Sequence, residues 1–192
     1  YCIELLWIGP VDGINDDWGM YSTLSGAYLG YPDAHVLFFL YPLSWLLSKL
    51  YTLCSFIPWF GLFLHGVQIA CIYAIYRRCM QLWYRHGSPD AFWKPALTIL
   101  CVLFFIVDLN VLSEAQYTTV AGVAAATALF CFATTRIDNP VPDFLKSNIS
   151  TFIFAWIAFS MRQNILYLML PMAGMLWLAK WVRSLRSGCS KT

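Results

Sequence analysis

Runs of apolar residues at about 58–76, 95–113, 117–134, 151–161 and 164–181 dominate the chain, with short polar breaks between them. Most approach the roughly 20 residues that an α-helix needs to cross the hydrocarbon core of a bilayer. A water-soluble domain of this size has no interior large enough for them. Of the 192 residues, 60% are hydrophobic and only 11% charged, against about 25% charged in ordinary soluble domains. The sequence therefore predicts an all-α fold, a polytopic transmembrane helical bundle that forms one domain over residues 1–192. Lipid, not a protein core, is its main solvent.

Residues 1–9 are apolar but too short to cross, and they lack the basic region and small-residue cleavage site of a signal peptide. They read as the end of a truncated first span. The seven cysteines are odd in number and form no CxxC pair, so small buried hydrophobes are the expected role.

Charge orients the bundle. Arg77, Arg78, Arg85 and Lys94 fill one break, Arg136 and Lys146 another, and Lys180, Arg183, Arg186 and Lys191 follow the last run. Cytoplasmic loops carry such an excess of Lys and Arg, which turns the alternate breaks outward. Those breaks hold Asp12, Asp16, Asp17, Asp33 and Glu114, with Asp108 just below in the adjacent run.

Residues 10–57 then form an extracytoplasmic loop with interfacial helices. Trp18, Tyr21, Leu24 and Tyr28 fall at helical spacing over Trp18 to Gly30, as in an interfacial helix with aromatic anchors. From Ala34 to Phe56 a full crossing would invert everything downstream. An interfacial or re-entrant helix is expected there, with Leu43, Leu46, Leu47 and Leu50 on one face and Ser44, Ser48 and Lys49 on others. A plain span is the alternative. Farther along, Ala121, Gly122, Ala124, Ala125, Ala126 and Ala128 give the 117–134 run a small-residue face for close helix packing.

Chemistry-bearing residues are few. Asp16 and Asp17 are adjacent carboxylates at the expected start of an interfacial helix, suited to a general base or to a cation, though ordinary loops hold such pairs too. Arg162 interrupts two apolar runs, where a charge costs about 2.5–3.5 kcal/mol at mid-bilayer on insertion scales. It either snorkels to the headgroups or forks onto phosphate oxygens. Glu114 and Gln116 close an outward turn and are suited to sugar hydroxyls, to steadying Arg162, or to an ordinary turn. His35, His65 and His86 lack metal-ligand spacing. A phosphate-cradling glycine loop, a GxSxG elbow and a nucleic-acid motif are all missing from the sequence, so no nucleic-acid partner is expected.

The acidic pair in Asn15-Asp16-Asp17 is followed by Ser25-Gly26-Ala27-Tyr28, Gly30, Pro32, His35, Tyr41-Pro42, Leu50-Tyr51 and Ile57-Pro58-Trp59. This pattern resembles the GT-C class of membrane glycosyltransferases, especially bacterial relatives of the GtrII-type glucosyltransferases. The resemblance implies a multi-pass protein of the bacterial inner (plasma) membrane that takes a sugar from a polyprenyl-phosphate donor to a glycan or lipid acceptor outside the cytoplasm. It maps a catalytic role onto Asp17 and Asp16, as base or as holders of a divalent cation (Mg or Mn). Arg162, Glu114 and Gln116 join them from topology, and His35 from the pattern, as substrate-binding residues. A transporter or flippase for a lipid-linked or anionic substrate is the competing class, and a noncatalytic assembly subunit a third.

Overall fold

The computed structural model describes residues 16–84, 97–98, 100–101, 115–135, 145–146 and 148–189. Among them are six helices and no strand: α1 Asp16–Ser25, α2 Tyr41–Leu53, α3 Trp59–Tyr84, α4 Tyr117–Thr134, α5 Ile149–Met161 and α6 Gln163–Cys189. The expected span end at 1–9 and nearly all of the expected span at 95–113 lie outside the described residues. Three helices are long and apolar enough to cross a membrane, over Trp59–Leu82, Tyr117–Thr134 and Gln163–Val182, while α5 is apolar but shorter.

Several boundaries differ from expectation, each for a local reason. α3 and α6 outrun the apolar stretches at 58–76 and 164–181. Lys, Arg, Gln and Leu are good helix formers, so the apolar run ends before the helix does. α1 stops at Ser25, short of the expected Gly30. Gly26 adopts φ +82°, and a Cβ there would stand 2.6 Å from the Tyr31 carbonyl carbon, so only glycine fits the return of the chain. Tyr28 consequently leaves the helix and lies exposed in the turn.

α2 splits the leucine face that the sequence grouped. Ser44, Leu47, Ser48 and Tyr51 are buried, whereas Leu46 and Trp45 are exposed. The serine hydroxyls need no outside partner, because Ser44 Oγ donates to the Tyr41 carbonyl (3.2 Å) and Ser48 Oγ to that of Trp45 (3.0 Å). Small side chains satisfied in this way permit close approach. The same inversion runs through the molecule. Gln68, Thr127 and Ser160 are buried, while Leu62, Ile69, Phe152, Trp156, Leu168 and Met172 lie on the outside. None of residues 163–182 is fully buried. An exterior more apolar than parts of the interior suits lipid better than water.

Side-chain contacts fix the helix directions. The Phe39 ring meets Phe60 and Tyr117, at the starts of α3 and α4, and Arg78 meets Thr134 and Thr135 at the other end of α4. Arg162 touches Thr118, and Lys180 touches Phe132. Thus α3, α4 and α6 run side by side in one direction, and α5 runs back against them. α2 begins and ends at the starting end of α3 and α4: the Leu40 N–H donates to the Ser160 carbonyl (2.8 Å), and the Phe60 N–H to Tyr51 Oη (2.9 Å).

α4 is the hub. Its buried positions include Ala121, Ala124, Ala125 and Ala128, which let α3 and α5 approach closely. Ala126 faces outward and Gly122 is half-buried, so the small-residue face is narrower than the sequence suggested. Cys71 and Cys131 are buried, Cys54 and Cys79 half-buried, and Cys101 exposed.

Candidate functional site at the start of α4

The start of α4 has no local cap. Gln116 occupies the N-cap position without a side-chain hydrogen bond, and its own side chain is exposed. The first N–H of the helix instead comes from Tyr117 and donates to Asp17 Oδ1 at 3.2 Å, across 100 residues of chain. Asp17 is only 4% exposed, on the same α1 face as Met20 and Leu24. A carboxylate at this position satisfies an orphan donor and complements the positive end of the helix dipole. Asp16 is exposed.

Arg162 reaches the same corner from the other side. It is the sole link between α5 and α6, in an extended conformation (φ −155°, ψ 99°) that ends the first helix. Its N–H donates to the Ala158 carbonyl (2.8 Å), and its own carbonyl accepts from Ile165 (3.2 Å). α5 therefore stops at Arg162. The side chain turns inward, and Nη1 donates to Thr118 Oγ1 at 2.6 Å.

Two aromatic rings complete the corner. The guanidinium carbon lies 5.6 Å from the centroids of both Phe38 and Tyr117, and those rings stack on each other, also at 5.6 Å. Each contact is of cation–π length. Phe38 is held at φ +73°, a conformation that costs a bulky residue on the order of 1–3 kcal/mol. Its neighbours pin it, with Phe39 packed among Phe60, Phe63 and Tyr117 and Leu40 bonded to Ser160. Such strain is typical of sites where a side chain has to be aimed.

Tyr117 therefore joins the two charges: its N–H binds Asp17, and its ring lies against Arg162. Electrostatically the corner is unusual. The negative end of α5 meets the positive starts of α4 and α6 here, and Arg162 adds a full charge to those starts. An anion would be favoured beside them.

The remaining sequence candidates are placed as follows. Glu114 and Asp108 lie outside the described residues. Gln116 sits at the corner through its backbone, its carbonyl accepting from Val120 (2.9 Å). His35 is 76% exposed; its described contacts are Asp33 Oδ1, 2.7 Å from Nδ1, and the Tyr41 ring. That bond holds the Asp33 carboxyl below its ordinary value. As placed, Asp16 and Asp17 do not fit a shared cation. Successive helical residues point about 100° apart, and here one is exposed and the other buried. Among the described residues no group of three His, Cys, Asp or Glu side chains could hold a metal.

Sequence reading missed Phe38, Tyr117 and Thr118. A signal existed in Tyr117-Thr118-Thr119, polar side chains in the first turn of an otherwise apolar helix. Phe38 carried none, since its role depends on a backbone angle. Comparison of the chain with protein-family models, curated proteins and solved structures found no match.

Proposed function

We propose that this chain is part of a polytopic membrane glycosyltransferase that moves a sugar from a polyprenyl-phosphate donor to an acceptor hydroxyl at the extracytoplasmic face. The observation that supports it most is the meeting of Asp17 and Arg162 on Tyr117, although 145 residues separate them in sequence. Sugar transfer needs a base for the acceptor and a cation for the departing phosphate, a substrate's width apart. The apolar exterior and the gathering of Arg78 and Lys180 at the opposite end of α4 agree with a bundle whose basic end faces the cytoplasm.

In this reading Asp17 takes the proton of the acceptor hydroxyl as its oxygen bonds to the anomeric carbon. The bond from that carbon to the donor phosphate breaks, and its electron pair stays on the phosphate. Arg162 neutralises that growing charge. Asp16, exposed beside Asp17, is the alternate base.

The test is transfer from a labelled polyprenyl-phosphate sugar by the protein in membranes. Asp17→Asn keeps an oxygen for the Tyr117 N–H but not the basicity, so transfer should fall by about 10²–10⁴ with folding intact. Loss on Asp16→Asn alone would move the base to Asp16. Silence of both substitutions, with substrate carried across the membrane, would assign the site to a transporter. The helix break at Arg162 is the feature that such a protein would use.

A further inference from the structure

We infer that Thr118 is a positioning residue that fixes Arg162 so that its Nε–Nη2 edge is presented to the phosphate oxygens of a polyprenyl phosphate, esterified to the sugar in the donor and free as the monoester that departs. The inference rests on the reading of Arg162 as the phosphate ligand and deepens it.

Arginine has two edges able to make paired hydrogen bonds, one through both Nη atoms and one through Nε and Nη2. Thr118 Oγ1 takes its bond from Nη1 at 2.6 Å, which compromises the first edge and leaves the second whole. Among the described residues no protein acceptor meets Nε or Nη2 of Arg162. The Phe38 and Tyr117 rings at 5.6 Å hold the guanidinium by its π face and offer no strong acceptor of their own. Arg162's backbone is tied on both sides, to Ala158 and Ile165. A side chain that ordinarily surrenders much rotamer freedom on binding is therefore already ordered.

This arrangement also explains why a hydroxyl stands at position 118. A carboxylate there would neutralise Arg162 and compete with the ligand. An apolar side chain would let the guanidinium swing. Threonine restrains it and leaves its charge uncancelled.

The test is binding of labelled farnesyl phosphate to the protein in nanodiscs of zwitterionic lipid, with farnesol and inorganic phosphate as comparison ligands. Thr118→Val, nearly isosteric, should weaken binding about tenfold, the size of a lost hydrogen bond to a charged group. Thr118→Ser should restore it to within about threefold, because the acceptor oxygen returns. With Arg162→Lys as background, Thr118→Val should have little further effect, since the coupling runs through the guanidinium. Wild-type binding by Thr118→Val, while Arg162→Ala binds poorly, would overturn the inference and leave the phosphate reading standing. An equal Thr118→Val loss in the Arg162→Lys background would mean general loosening and would also overturn it. Unchanged binding by Arg162→Ala, or farnesol binding as tightly as farnesyl phosphate, would remove the phosphate reading itself. Inorganic phosphate bound as tightly as farnesyl phosphate, with the same dependence on Thr118, would keep the positioning role and assign the site to a free anion.

Discussion

The two ends of α4 are built from different parts. At its C-terminus Lys180 Nζ donates to the Phe132 and Thr135 carbonyls and lies over the Phe132 ring. Arg78 donates from Nε to Thr134 Oγ1 (3.1 Å) and from Nη2 to Thr135 Oγ1. Cations at the negative end of a helix, bonded to its last carbonyls and hydroxyls, agree with every local rule. At the N-terminus the carboxylate of Asp17 obeys the same rule, and Arg162, which ends α5, brings its cation to the place where the negative end of α5 meets the positive starts of α4 and α6. Phe38 adds a strained backbone at the same place. Locally consistent ends stabilise, whereas departures from consistency gather where a protein does chemistry. On the reading proposed above, the contrast makes the start of α4 the working end of the bundle.

The largest effect expected from that contrast concerns the two kinds of cation. Arg162→Lys removes the planar fork and should weaken binding of a polyprenyl-phosphate donor roughly tenfold or more. Lys180→Arg, at the other end, should leave donor binding within about twofold, because independent sites a helix length apart rarely couple. Equal losses from both would abolish the distinction between a binding end and a structural end. Donor titration in nanodiscs measures both.

A smaller effect separates the two duties of Asp17. Asp17→Ala leaves the Tyr117 N–H without its acceptor and should lower unfolding stability by about 1–2 kcal/mol, the usual cost of a lost helix cap. Asp17→Asn keeps the acceptor and should cost less than about 1 kcal/mol, mainly the dipole contribution of the charge. Thermal unfolding of the purified protein distinguishes them. Should Asn destabilise as much as Ala, the charge rather than the hydrogen bond holds the start of α4.

Much of the helix order was legible in the sequence, because a helix long and apolar enough to cross a membrane needs an unbroken apolar run. A span hides its own backbone hydrogen bonds and turns apolar side chains outward, so the run at 117–134 gives α4 with the same limits. A helix between Ala34 and Phe56 was legible too, but not which of its faces packs. The sequence grouped Leu43, Leu46, Leu47 and Leu50 on one face, whereas Leu47 is buried together with Ser44 and Ser48 and Leu46 lies outward. In the site, Asp17 and Arg162 were visible as charges in costly places. Their meeting through Tyr117 was not, because it depends on how α5 turns at a single residue and on the φ angle of Phe38, neither of which a composition or period encodes.

The smallest expected effect tests whether His35 belongs to the working end, as the pattern of the chain suggested. Its ring bonds Asp33 on an exposed surface, and that hydrogen bond is the main cause of the lowered Asp33 titration. A carboxyl whose folded value lies below its unfolded value stabilises the fold above the unfolded value, near 3.8, and loses that contribution as pH falls through the lowered folded value. The window is therefore acidic, and because the His35 side chain is exposed, solvent screens the pair. His35→Ala should move the Asp33 titration back up toward 3.8, as followed by carboxyl-carbon NMR at Asp33. Donor binding should stay at the wild-type level, since the described contacts of His35 run to Asp33 and Tyr41 rather than to Arg162, Thr118 or Tyr117. A fall in donor binding with the Asp33 titration unmoved would place His35 on the ligand and extend the site from the start of α4 to the start of α2.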